Sequence, residues 1–253
     1  MIYITGDCHA DWTKFSSNAF PEQKEMIRND FVIVCGDFGI WHDTPQERYW
    51  LNWLEKKKFT LCFVCGNHEN FDRLYGKEFP IVDFYGGKAH KIRENVFHLI
   101  RGYIFNLCGK KIFAFGGARS HDIKDGILDP MDYRDKRALY HDYNTRTLRG
   151  EELRINHYSW WKQEMPSKEE MNFGLKSLSE RNNKVDFIIT HCAPSNIALE
   201  MSGGAYKPDT LTDYFKTISG AVDFKKWFFG HYHDDKAIND KFILLYNQII
   251  RIA

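Results

Sequence analysis

The sequence predicts an α/β protein built on parallel strands, and three observations predict it. Apolar, β-branched runs at Ile2–Thr5, Phe31–Cys35 and Phe59–Cys65 each stop at a glycine backed by polar side chains: Gly6-Asp7-Cys8-His9, Gly36-Asp37-Phe38-Gly39 and Gly66-Asn67-His68-Glu69. The runs recur about every thirty residues, the length of a right-handed strand–helix–strand crossover. Helix-forming segments at Pro21–Arg28 and Pro45–Lys57 lie between them. The three strands are therefore expected side by side and parallel, in a chain whose 253 residues suit one domain with a well-buried core.

The remaining elements follow in order. Val96–Leu107 and Lys111–Phe115 read as two or three further strands, the last ending in Gly116-Gly117-Ala118-Arg119. Residues 120–165 break the rhythm, being charged and aromatic without clean periodicity, and are expected to form an ordered insertion or lid. A helix restarts near Ser167, because Ser167-Lys168-Glu169-Glu170 fits a capping box and Met171, Leu175 and Leu178 follow at helical spacing; it is expected to close around Asn182-Asn183. Val185–Thr190 is a continuous apolar strand ending in His191-Cys192-Ala193-Pro194, and Lys226–Phe229 a shorter one ending in Gly230-His231-Tyr232-His233. Phe242–Tyr246 and Ile249–Ile252 read as a closing hairpin.

Composition narrows the classes of function. Thirty-five basic against thirty-four acidic side chains give a net charge of +1, so the chain as a whole carries no field for nucleic acid or an anionic membrane. No run approaches membrane-spanning length, and the expected location is the cytoplasm. The cysteines lie mostly inside or at the ends of apolar runs, where the thiol acts as a small hydrophobe, and no disulfide framework is implied. Cys62 and Cys65 spell C-x-x-C, but residues three apart on a strand point to opposite faces, so a structural reading is preferred.

Ligands of an open parallel sheet bind beyond the carboxyl ends of its strands. Asp7, His9, Asp37, Asn67 and His68 are thus expected to converge, with His191, His231 and His233 following two later strands. One such residue alone would read as a turn or cap; three strand endings in series favour a site. Carboxylate, amide oxygen and imidazole together suit manganese, iron, zinc, cobalt or nickel better than calcium. The seven residues Asp7, His9, Asp37, Asn67, His191, His231 and His233 are too many for one tetrahedral ion and suit two, with one carboxylate shared.

The blocks Gly6-Asp7-x-His9, Gly36-Asp37, Gly66-Asn67-His68-Glu69, His191 and Gly230-His231-x-His233, all present and in order, resemble those of the calcineurin-like metallophosphoesterases. The resemblance implies a four-layer αββα sandwich around two mixed sheets, here with the cap-like insertion at about 120–165. It implies that Asp7, His9 and His233 hold one ion and Asn67, His191 and His231 a second, with Asp37 bridging. It further implies two divalent transition-metal ions, manganese first among them, whose shared water becomes a hydroxide nucleophile. His68 resembles the family's catalytic histidine, placed to protonate the leaving oxygen or hold its charge; the alternative is a structural hydrogen bond beneath the metals. Glu69 is expected to support the loop.

Arg119 is a candidate clamp for a substrate phosphate, set against a solvated arginine at a strand end. The other histidines, His42, His90, His98, His121, His141 and His157, fall outside the strand-end blocks and read as surface or core residues, with His121 and Asp122 the pair best placed to reach substrate. One departure bears on substrate. Protein serine/threonine phosphatases carry arginines after the second and third blocks, where this chain has Ile40-Trp41 and Asn70. The sequence is more similar to small bacterial and phage phosphoesterases, which implies a phosphodiester or small phosphomonoester, nucleotide-like or a nucleic-acid end. Tyr133, Tyr140, Tyr143, Tyr158, Trp160 and Trp161 of the insertion either stack on such a group or form a mini-core, the latter slightly preferred. A protein phosphatase and a non-catalytic scaffold of the same fold are the alternatives.

Overall fold

The computed structural model describes all residues, Met1–Ala253. Its strands are β1 (Ile2–Thr5), β2 (Phe31–Val34), β3 (Thr60–Phe63), β4 (Ile81–Phe84), β5 (Gly87–Arg93), β6 (Val96–Leu99), β7 (Ile104–Leu107), β8 (Lys110–Phe115), β9 (Gly126–Leu128), β10 (Leu153–Ile155), β11 (Phe187–Thr190), β12 (Lys226–Phe229), β13 (Lys236–Ala237), β14 (Phe242–Leu244) and β15 (Ile249–Arg251). The α-helices are α1 (Pro45–Glu55), α2 (Phe71–Leu74), α3 (Lys136–Leu148), α4 (Lys168–Ser179), α5 (Ser195–Met201) and α6 (Thr210–Ala221).

Two mixed sheets carry the fold, in the orders β15-β1-β2-β3-β6-β5-β4 and β13-β14-β12-β11-β8-β7. As the spacing predicts, β1, β2 and β3 are parallel neighbours. In the second sheet β8, β11, β12 and β14 are parallel. The period-2 alternation of strands sorts their apolar side chains onto two faces. Ile2, Ile4, Ile33 and Cys62 of the first sheet meet Ile112, Ala114, Ile189 and Phe228 of the second in a core between the sheets. Tyr3, Val32, Val34 and Phe63 face outward against Leu51 and Leu54 of α1, while Phe113, Ile188, Trp227 and Phe229 pack on Leu211, Phe215 and Ile218 of α6. The result is the expected αββα order of layers.

The predicted capping box of α4 is formed by Ser167 and Glu170. Its helix stops at Ser179, a turn short of Asn182 and Asn183, which both take positive φ. The segment Pro21–Arg28 holds only a 3-10 turn, Pro21–Lys24. A helix there would have to release Gln23, whose buried amide donates to the carbonyls of Phe15, Ser16 and Phe20. The tail is not a hairpin either. β14 joins the second sheet beside β12 and β15 the first beside β1, because the Asp235 carboxylate accepts the backbone N–H groups of Tyr246, Asn247 and Gln248 and turns the chain between the sheets.

Within residues 120–165, expected to form an insertion, β9 pairs with β10 in a separate small parallel sheet. Leu128, Leu139, Leu153 and Ile155 form its core, with Tyr133, Tyr140 and Tyr143 packed against them, which favours the mini-core reading of these tyrosines. Trp161 is buried in the outer core of the first sheet, and its indole N–H donates to Asp72 Oδ2 at 2.7 Å, fastening the insertion to α2.

Candidate metal centre

Every predicted ligand emerges from the carboxyl end of a parallel strand: Asp7 and His9 after β1, Asp37 after β2, Asn67 after β3, His191 after β11, and His231 and His233 after β12. Two glycines let these turns close. A Cβ on Gly66 would lie 1.9 Å from Asp37 Oδ1, and one on Gly230 would lie 2.1 Å from Asp7 Oδ1, so a larger residue at either place would expel a carboxylate. The backbone then anchors each carboxylate by one oxygen. His68 N–H donates to Asp37 Oδ1 at 2.8 Å and His231 N–H to Asp7 Oδ1 at 3.0 Å. Strain collects at the same turns, since His9, Asp37, His231 and His233 all have φ between 47° and 71°, a region that L-residues reach at a cost of about 1–3 kcal/mol each.

The donor atoms crowd together. Asp7 Oδ2 is 3.2 Å from His233 Nε2 and 3.6 Å from His9 Nε2, and these two imidazole nitrogens are 3.0 Å apart. His191 Nε2 is 3.3 Å from Asp37 Oδ1 and 3.3 Å from Asn67 Oδ1, while His9 Nε2 is 3.7 Å from Asp37 Oδ2. Donor atoms bound to one ion at about 2.0–2.2 Å stand roughly 3–3.5 Å from one another, so these spacings fit coordination. Asp7 Oδ2 is also buried without a hydrogen bond, an orphan that a cation would satisfy. Three groups of donors lie within 4.8 Å of one another: Asp7, His9 and His233; Asp7, Asp37 and His191; and His9, Asp37 and His68. His231 joins by its ring, 5.0 Å from that of His191.

Electrostatics follow from burying two carboxylates beside imidazoles. Burial works against the charge of Asp7 and Asp37, but the His191 imidazole beside both holds them well below the usual carboxylate range. Burial works the other way on His191, yet Asp37 and Asp7 push it up to about 9. His231, buried and next to that imidazolium, is pushed down to about 3. A proton on His191 thus supplies the positive charge the carboxylates demand, and divalent ions would displace it.

His68 is held below its ordinary value by burial, against the pull of Asp37, which leaves it a neutral hydrogen-bond donor at pH 7. Its ring meets that of His9 at 5.1 Å and the indole of Trp41 at 5.9 Å. Glu69 supports the loop: its buried carboxylate accepts the N–H groups of Phe38, Gly39 and Ile40. Arg119 is exposed on the turn after β8 and makes no ion pair or hydrogen bond.

The profile of the calcineurin-like phosphoesterase family matches residues 1–235. The chain belongs to that family. A search of the curated proteins finds no match. Membership makes this calcineurin-like phosphoesterase a metal-dependent hydrolase of phosphoric esters. No helix is long and apolar enough to cross a membrane.

Sequence reasoning passed over several polar side chains around this phosphoesterase site. Lys14 donates to the carbonyls of Asp7 and Tyr246, and the Tyr246 ring stacks on His233 at 4.8 Å. Arg154 on β10 pairs with Asp122. Ser120 faces Asn67 and is held by Glu164. None carries a local signal, since each works through a partner distant in the chain.

Proposed function

We propose that two divalent transition-metal ions, manganese first and otherwise iron, zinc, nickel or cobalt, occupy this centre. Asp7, His9 and His233 would hold one and Asn67, His191 and His231 the other, with Asp37 shared. The observation that carries the proposal is the buried pair Asp7 and Asp37, ringed by imidazole nitrogens at 3.2–3.9 Å, with Asp7 Oδ2 left without a hydrogen bond. When bound, such ions supply an activated water and neutralise charge on phosphoryl oxygens. The protein's own residues do the rest. His68 donates a hydrogen bond to the leaving oxygen as charge develops there. Arg119, exposed and directly before the residue that faces Asn67, grips a phosphoryl oxygen with its planar fork.

The substrate we infer is a phosphodiester or phosphomonoester of a nucleotide-like molecule or a nucleic-acid end, turned over in the cytoplasm. Beyond His68 the wall is aromatic, running from Trp41 to His42, whose ring stacks on Tyr158 at 4.7 Å. That wall supports an organic leaving group. The second reading, a protein phosphatase, loses support because the places of its arginines are taken: Ile40 is buried, and Asn70 accepts from Arg73 N–H and donates to the Trp41 carbonyl. A non-catalytic scaffold is disfavoured by the complete donor set. Hydrolysis of bis-p-nitrophenyl and p-nitrophenyl phosphate with manganese is the test. Asp37→Asn and chelator are expected to abolish turnover, and His68→Ala to lower kcat by about 10²–10⁴. Turnover that survives chelation and Asp37→Asn sinks the metal reading, and preference for phosphopeptides would install the second.

A further inference from the structure

One buried acid has no part in the chemistry above. Glu164, on the 3-10 turn Lys162–Glu164 at the end of the insertion, is 1% exposed. Burying a carboxylate is costly unless it is hydrogen-bonded to some purpose. Its Oε1 accepts Ser120 N–H at 2.9 Å and its Oε2 accepts the Ser120 hydroxyl at 2.6 Å. Its backbone is pinned as well, because the buried Arg101 guanidinium donates to the carbonyls of Glu164, Gln163 and Gly116. Beyond Ser120 stands Asn67, whose Nδ2 lies 3.5 Å from Ser120 Oγ while its Oδ1 faces His191 Nε2 at 3.3 Å.

A hydroxyl has one proton to give, and a carboxylate can only accept. With the Ser120 proton committed to Glu164, Ser120 Oγ can offer Asn67 nothing but a lone pair. Asn67 must then turn its NH₂ toward Ser120 and its oxygen toward the metal centre. The opposite orientation would aim N–H groups at the ions and lose them a ligand.

We propose that Ser120 and Glu164 are positioning residues that fix the amide of Asn67 oxygen-first toward the metal centre. This rests on the assignment of Asn67 as a metal ligand made above. It gives residues 120–165 a role at the site, since residues near their two ends close the relay across 44 positions of sequence. Residues behind a ligand that fix its orientation typically change metal affinity 10–100-fold when lost. Burial pushes the Glu164 carboxyl up to about 7, against the two bonds from Ser120, so pH 8 is the condition at which the relay holds.

Glu164→Gln separates positioning from structure. Its amide oxygen still accepts Ser120 N–H, and its NH₂ can donate to Ser120 Oγ. Every bond is kept, but the Ser120 proton is released and Asn67 is free to turn over. Manganese binding is measured by titration calorimetry at pH 8, with the thermal midpoint of each metal-free protein alongside. Wild type is expected to bind two ions. Glu164→Gln is expected to keep or raise the metal-free midpoint, since it removes a charge that burial disfavours, and to bind one of the two ions 10–100-fold more weakly, and Ser120→Ala to show the same loss of binding. Adding Asn67→Asp to Glu164→Gln should restore the affinity, because a carboxylate has no wrong way round. Two-ion binding within twofold of wild type in both single variants overturns the proposal, as does a loss that Asn67→Asp leaves unrestored. A wild type that binds no manganese overturns the metal assignment beneath it.

Discussion

At the scale of single residues, the convergence of the candidate ligands was legible because each follows an apolar run and a chain-reversing turn, so position and chemistry are written side by side in the sequence. Residues that act on the ligands were not legible. Ser120 reaches Asn67 and Glu164 across long stretches of chain, and nothing local announces such contacts. Glu69 lies between these cases: its place behind Asn67 and His68 suggested support, and the structure shows what is supported. Its carboxylate accepts three buried N–H groups of the loop that carries Asp37. Burial and the nearby Asp37 push it up to about 8 against those bonds. Glu69→Ala would strand three donors at about 1–3 kcal/mol each. Urea denaturation is therefore expected to show a loss of at least about 3 kcal/mol, whereas an effect within about 0.5 kcal/mol, the range of an ordinary surface substitution, would mean that water replaces the carboxylate.

At the scale of elements, β1, β2 and β3 were readable because strands buried on both faces are uninterrupted apolar runs. The hairpin of β4 and β5 was not, since β4 is largely exposed and its polar residues blur the pattern; only Tyr85-Gly86, both at positive φ, marks its turn. Its second strand nevertheless shares a buried polar pair with β6. His90 on β5 and His98 on β6 are directly opposite in register, with rings 4° from parallel and Nδ1 atoms 2.9 Å apart. His98 Nε2 is buried without a partner. The arrangement satisfies two neutral imidazoles sharing one proton, His98 donating from Nδ1. Burial pushes His90 down to about 4, and burial together with His90 and Arg101 pushes His98 well below the ordinary value. Above about pH 7.5 neither the folded nor the unfolded chain protonates these rings appreciably. As pH falls toward 4 the unfolded chain takes up protons that the folded one refuses, so stability is lost across that window. His90 alone should remove about 2 kcal/mol between pH 7 and pH 5. In chelator, the double variant His90→Phe/His98→Phe is expected to lose less stability over that interval than wild type, by at least this amount. Equal losses would show that the pair is already charged in the folded protein.

At the scale of the whole molecule, the centre is a seam. Asp7, His9, Asp37 and Asn67 come from the sheet that contains β1, and His191, His231 and His233 from the sheet that contains β12. The apolar layer between the sheets holds their middles, but at this edge buried carboxylates and imidazoles meet, with His191 at about 9 as the internal counter-charge. Ions that bind the folded chain and not the unfolded one stabilise it by RT ln(1 + [L]/Kd), about 4 kcal/mol per site at a thousandfold excess over Kd. For a protein of this size that amounts to a rise of roughly 8–16 °C in the thermal midpoint per site. Calorimetric scans with manganese and with chelator should therefore separate by at least about 8 °C. Asp37→Asn, which alters the carboxylate facing both His9 and His191, should collapse that separation and also lower the metal-free midpoint, because the substitution takes a partner from the buried His191 imidazolium that holds the Asp37 charge in place. Midpoints that coincide with and without manganese, in a protein shown to bind it, would mean that the unfolded chain holds the ions as tightly as the folded one, and that the folded edge adds nothing to their binding.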